Sequence, residues 1–330
     1  MIIDFDIIKY LNEQTCDIII KKLTSNNLIG KGFWGSVYRF DIKNHKVSIK
    51  IQPIENDKNY DISITDQRNI NLEIKILKQL SDCKIKNSFY HFPYFYLDKI
   101  CNDQQLIFYE YYPNNLKHFF LKPYTFEQFK SIIYQIIISI YYFQQITGYF
   151  HDDIHIENFL LNKIIATELN YNILNMNKKI KIFDGNCITI WDYAGAVKID
   201  HTADMNHNPD ILLLKIMCNV FITKNLLELF NYIELYTFCK EKSSKLFNKY
   251  HKKILYENRM KWKHISNLHT RTHKIEKSMS KAIIFWIIEN KFLDLLLEQV
   301  KINLYFPNDK MLDWIKTIPD NLNDCIQFIE

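Results

Sequence analysis

The sequence predicts an α+β fold of two lobes, a smaller β-rich one over residues 1–112 and a larger, mainly helical one over residues 113–330. Three observations carry this expectation. Short alternating apolar segments crowd the first part, Pro113-Asn114-Asn115 ends the last of them, and runs of helical periodicity dominate the remainder. A chain of 330 residues that is 48% hydrophobic can bury cores for both lobes.

The elements follow in order. Residues 1–23 have helical spacing, with Ile3, Ile7, Ile8 and Leu11, then Ile18 to Ile20 and Leu23. Val37 to Phe40 and Lys46 to Ile51 alternate as strands about a polar turn at Lys43 to His45. Asn69 to Leu80 places Leu72, Ile76 and Leu80 on one helical face, and Gln105 to Tyr111 reads as a further strand. The most apolar run, Ile132 to Ile146, is shorter than the ~20 residues of a membrane-spanning helix and is interrupted by Gln135, Gln144 and Gln145, so it reads as a core helix with no transmembrane segment. Phe159 to Ile199 is β-rich again, and its Asp184-Gly185-Asn186 reads as a hairpin turn between two apolar strands.

Composition narrows the class. Six glycines and seven prolines leave no long flexible linker. Seven scattered cysteines, odd in number and without C-x-x-C spacing, argue against a disulfide framework or a zinc knuckle. With Asp4 and Asp6 in an N-terminus unlike a signal peptide, the expectation is an intracellular protein, cytoplasmic or nuclear. Between Lys242 and Lys281 twelve Lys and Arg face two acids, Glu257 and Glu276, a patch suited to an acidic partner: protein, nucleic acid or anionic lipid. A solvated helix face explains the same run. His264, His269 and His273 lie in that segment without supporting Cys or carboxylates, and read as solvated histidines instead of zinc ligands.

Four motifs carry chemistry. Ile29-Gly30-Lys31-Gly32-Phe33-Trp34-Gly35-Ser36-Val37 places three glycines where backbone N–H groups can fold closely over a triphosphate, with Ile29 and Val37 as apolar cover; an ordinary hairpin turn is the alternative. Lys50 lies on the next strand, in Val47-Ser48-Ile49-Lys50, a cation that would need a carboxylate to hold it in position. Glu73 lies on the polar side of the following helix, with Glu55 as competitor. His151-Asp152-Asp153-Ile154-His155-Ile156-Glu157-Asn158 precedes an apolar strand and offers two aspartates for one role. Asp192, in Trp191-Asp192-Tyr193-Ala194, is an acid at the end of a strand, and Asp184 before Gly185 is its superficial competitor.

In this order the motifs resemble those of eukaryotic-type protein kinases: I-G-x-G-x-x-G-x-V, V-A-I-K, H-x-D-x-x-x-x-N and a D-F-G equivalent. Coverage runs over roughly residues 28–215. The resemblance implies ATP and Mg²⁺ as cofactors and a protein substrate. Ile29, Gly30, Gly32, Gly35, Val37 and Lys50 would bind nucleotide, Glu110 and Tyr111 would form the hinge beside it, and Glu73 would pair with Lys50. The family sets its metal-binding Asn five residues after the base, which selects Asp153 as base and Asn158 as metal ligand beside Asp192. His155 stands where serine/threonine kinases carry a lysine near the transferred phosphate. Asp210, at the start of a later helix, matches the aspartate that supports the catalytic-loop backbone.

Within the superfamily the chain is most similar to the haspin group, through Asp153-Ile154-His155, Asp192-Tyr193-Ala194, the long insertion between Asn158 and Asp192, and Lys50-Ile51-Gln52-Pro53-Ile54-Glu55. The poxvirus-type kinases are a related resemblance, and an Asn-, Ile- and Lys-rich composition suits a viral or protist genome; a viral source would move the location to host cell or virion. There are departures. No A-P-E follows, and Asp152 replaces the arginine that clamps a phosphorylated activation loop, which implies activity without loop phosphorylation. The H-x-D-x-H-x-x-N pattern also fits small-molecule kinases of the aminoglycoside or choline type, and a partner-binding pseudokinase is the non-enzymatic alternative.

Overall fold

The computed structural model describes residues 5–31, 35–54, 70–120, 124–199, 208–215, 217–218 and 308–329. The chain divides into two compact units, residues 1–214 with 319–330, and residues 215–318. All candidate site residues lie in the first. In the second unit the helix Asn308–Thr317 and the residue after it bury Met311, Ile315 and Ile318, a stripe at helical spacing.

The first unit opens with helices α1 (Phe5–Glu13) and α2 (Cys16–Lys22). A five-stranded antiparallel sheet follows in the order β1-β2-β3-β5-β4, formed by Leu28–Lys31, Ser36–Ile42, His45–Pro53, Gln104–Glu110 and Phe95–Cys101 respectively. Between β3 and β4 runs helix α3 (Ile70–Asn87), and its Ile76, Leu77 and Leu80 are fully buried. Strand β3 shows why the sheet needs cover on both faces. Its side chains alternate, so Val47 and Ile49 join a core with Ile7, Leu11 and Ile19 of the N-terminal helices, while Ser48, Lys50 and Gln52 point the other way and are also buried.

Beyond the sheet come β6 (Asn114–Asn115), α4 (Leu116–Phe120) and α5 (Phe126–Thr147). Helix α5 starts on a capping box between Thr125 and Gln128, and ends at Gly148, whose φ of 73° is the left-handed conformation glycine adopts without strain. It is the buried core helix expected from its apolar run. No helix among the described residues is long and apolar enough to cross a membrane.

Short strands then follow: β7 (Tyr149–Phe150), β8 (Phe159–Lys163), β9 (Glu168–Ile173), β10 (Met176–Lys181), β11 (Asn186–Ile190) and β12 (Val197–Lys198). The expected hairpin at Asp184-Gly185 requires correction. Both residues have positive φ, as a tight turn demands, but the strands they join do not pair: β10 pairs with β9 and β11 with β8. The hairpin is instead β9–β10, closed by Leu174-Asn175 at φ 51° and 61°.

The cysteine reading is corrected as well. Cys16 and Cys101 are joined in a disulfide with Cα atoms 5.4 Å apart, tying α2 to the end of β4. Their 85-residue separation hides the pairing, because only the folding of α1 and α2 over the sheet brings them together.

The C-terminal helix Leu322–Phe328 belongs to this unit. Lys178 of β10 donates to the carbonyls of Gln327 and Ile329, a cation at a helix C-terminus, and Phe328 meets Tyr134 of α5 edge to face. The N–H of Asn208 donates to the carbonyl of Asp320 at 3.0 Å, which anchors the start of the helical residues 209–215.

Candidate active site

Lys50 is the centre of the first half of the site. It projects from β3 into a buried position, and its Nζ lies 2.5 Å from Glu73 Oε1 of α3 and 2.9 Å from Asp192 Oδ1. Glu73 is fully buried and also accepts from Gln52 Nε2 at 3.2 Å. Burial alone would push the Lys50 ammonium down, but Glu73 and Asp192 outweigh it and hold the group above its ordinary value. Lys50 is therefore a fixed cation. Glu55, the competing carboxylate, lies outside the described residues, and Asp184 is held elsewhere, accepting from Gln128 Nε2 at 2.9 Å.

The glycine-rich segment lies over β1 and β2, with Gly30 opposite Val37 and Val37 opposite Lys50. Ile29 is exposed. A Cβ on Gly35 would stand 2.4 Å from the Ile51 carbonyl oxygen, so β2 can enter against β3 only without a side chain there. Gly32 falls outside the described residues.

At the end of β5, the Glu110 carboxylate accepts from Lys84 of α3, from the Tyr112 hydroxyl and from the Tyr94 N–H. That carboxylate is thus turned into the protein, and any contact of Glu110 with a nucleotide falls to its backbone. Tyr111 is half-buried, with Lys46 Nζ 5.8 Å from its ring centroid.

The second half of the site is the loop after β7. Asn158 Nδ2 donates to the Asp153 carbonyl at 2.9 Å and to Asp153 Oδ2 at 3.0 Å, which turns the amide oxygen away from Asp153. His155 Nε2 lies 3.5 Å from Asp153 Oδ2. The two aspartates are driven apart electrostatically. Burial raises the Asp152 carboxyl, reinforced by Asp210 and Asp153. Burial would raise Asp153 also, but hydrogen bonding and charge from His155, with His151 and Asn158, bring it below its ordinary value. Asp153 is the more readily ionised member of the pair.

Asp210 holds the loop from beneath. Its Oδ1 accepts the Asp152 N–H at 2.9 Å, and its Oδ2 accepts the His151 N–H at 2.9 Å and Gln144 Nε2 at 2.8 Å. Asp152 has a φ of 58°, a conformation aspartate tolerates better than most residues. The two halves join through Trp191. Its N–H donates to the Asn158 carbonyl at 2.9 Å and its carbonyl accepts from His151 Nε2 at 2.9 Å. Asp192 follows at φ 67°, and Tyr193 is buried against Phe143 of α5.

Three supporting features escaped the sequence reading. Asn208 caps the helical residues 209–215, its Oδ1 accepting from the N–H groups of Asp210 and Ile211, and it bonds Gln144 through Nδ2. Asn before Pro209 was a usable signal for that cap. The Tyr109–Trp191 stack, with centroids 3.7 Å apart, had no local signal. Nor did His91, buried with Nδ1 2.7 Å from the Ile188 carbonyl and Nε2 2.5 Å from the Tyr171 hydroxyl. The basic segment 242–281, with His264, His269 and His273, lies outside the described residues.

A β-rich lobe with a buried lysine–glutamate pair, followed by a helical lobe carrying an aspartate–asparagine loop, is the architecture of a phosphoryl-transfer enzyme. The chain belongs to the protein kinase family: the protein kinase domain matches residues 23–205, more than half of its length. No curated protein matches it. Family membership supports a phosphotransferase.

Proposed function

We propose that this chain is an active serine/threonine protein kinase that transfers the γ-phosphate of ATP to protein hydroxyls. The observation that carries the reading is the grip on Lys50 by Glu73 and Asp192 together, which holds a cation fixed beside the carboxylate proposed to take the metal. Asp153 orients the acceptor hydroxyl and takes its proton, being ionised and next to the loop's asparagine. His155 stands at its side with Nε2 facing the Asp153 carboxylate and Nδ1 accepting the Glu157 N–H, so it supports the charge of the base. The glycine-rich segment, with Ile29, Gly30, Gly32, Gly35 and Val37, covers the nucleotide, and Glu110 and Tyr111 border it through the backbone.

Asn158 and Asp192 offer an amide oxygen and a carboxylate, the hard oxygen donors Mg²⁺ prefers, and a bound Mg²⁺ would neutralise phosphate charge there. The lobe division after Tyr112 belongs to the same reading. A haspin-like affiliation is favoured by His155 and by Asp192-Tyr193-Ala194, and serine/threonine specificity by the lack of an arginine-bearing catalytic loop.

The test is transfer from γ-labelled ATP to a mixed protein panel and, in parallel, to aminoglycosides and choline, with identification of the phosphorylated amino acid. Label on serine or threonine supports the proposal. Label on small molecules alone would move the function to that class, and no label with intact Mg·ATP binding would make the chain a pseudokinase.

A further inference from the structure

We infer that Trp191 is a positioning residue for Lys50, its indole face forming a neutral third wall that fixes the ammonium between Glu73 and Asp192. The inference rests on the kinase reading. Lys50 Nζ lies 5.7 Å from the centroid of the Trp191 ring, within the range of a cation–π contact. The ring itself cannot drift. Tyr109 stacks on it at 3.7 Å with the planes 21° apart, Tyr193 meets it edge-on at 6.1 Å, and its backbone is pinned at both ends by Asn158 and His151. Only 5% of the residue is exposed.

The chemistry explains why an aromatic face suits this place. Lysine carries its charge on a flexible four-carbon stem, and two hydrogen-bonded carboxylates restrain it from two directions only. A third carboxylate would add restraint but would also make the site more negative and repel a phosphate. The π face attracts the ammonium while adding no net charge, so Lys50 keeps its positive field for an anionic ligand. One residue thereby ties the lysine of the sheet to the asparagine and histidine of the loop.

The experiment is a double-mutant cycle on the full chain, read as Mg·ATP affinity by titration calorimetry. Trp191→Leu should weaken binding roughly tenfold, as loss of a desolvated cation–π contact implies, and Trp191→Phe, which keeps a ring, no more than about threefold. In a Lys50→Met background Trp191→Leu should change affinity less than about twofold. Thermal denaturation of each variant separates loss of fold from loss of position.

Additive losses in the cycle, or equal losses in the Phe and Leu variants, would overturn the inference while leaving the kinase reading intact. If Lys50→Met binds too weakly to titrate, the ranking of Phe against Leu decides. A wild-type chain that fails to bind Mg·ATP overturns both.

Discussion

The carboxylate of Asp210 accepts the backbone N–H of His151 at 2.9 Å across 59 residues of chain. Together with the neighbouring bond to Asp152 it fixes two consecutive peptide groups immediately before Asp153. Asp210→Asn leaves one oxygen and turns an amide donor against groups that are themselves donors. The variant should lose about 2 kcal/mol of stability, the scale of a charge-assisted buried hydrogen bond. Its phosphate transfer should fall about 100-fold through misplacement of the base. Mg·ATP affinity should hardly change, and urea unfolding with steady-state kinetics checks all three.

His155 and Asp153 make a linked pair with a consequence for pH. Burial raises Asp153, and His155 is foremost among the groups that outweigh it and bring the carboxyl below its usual value. Under the proposed role of Asp153 as base, the carboxyl stays ionised to lower pH than a free aspartate, and activity should fall only as pH drops through that lowered value. His155→Ala removes the foremost lowering influence, so the acid limb of kcat/KM should move to higher pH. A limb that stays in place would show that His155 does not set the charge of Asp153.

Buried His91 makes stability depend on acid. Burial pushes its imidazole down to about 4, with the Ile188 carbonyl partly opposing the shift and Lys84 adding to it. The folded chain refuses a proton that the unfolded chain takes up near 6.5, so stability falls as pH drops from 6.5 towards 4. The loss attributable to this group is about 3 kcal/mol. Urea midpoints at pH 7 and pH 4.5 measure it, and His91→Gln should be less stable at pH 7 but show a weaker fall.

In the proposed kinase reading Asp152 takes the place of a phosphate-clamping arginine, and an acid cannot pair with a phosphorylated loop. Treatment with a protein phosphatase should leave the transfer rate within about twofold of the untreated enzyme. Loss of most activity would contradict this.

What was legible in the sequence was what the chain encodes locally. Lys50 on its strand, the spacing from Asp153 to Asn158, the turn at Lys43, and the apolar run of α5 depend on neighbours a few residues away, and the elements fall where spacing places them. Contacts made by the tertiary fold were not legible. Cys16 and Cys101, Lys84 and Glu110, His91 and Tyr171, and Tyr109 and Trp191 meet across 26 to 85 residues, and no local pattern marks them. The misplaced hairpin shows the boundary between the two. Asp184-Gly185 has the chemistry of a tight turn and does turn, but pairing is decided by which strands lie adjacent, and β11 lies against β8. Leu174 gave no warning, because leucine is a poor choice for positive φ and is held there by the flanking ladder.

The central claim is that Asp153 serves as the base of an active kinase. The most direct measurement is the single-turnover rate of γ-phosphate transfer by Asp153→Asn beside wild type, at saturating Mg·ATP and with an accepted protein substrate. The account predicts a fall of about 10²- to 10⁴-fold in the variant with nucleotide affinity preserved. An unchanged rate in Asp153→Asn would contradict it.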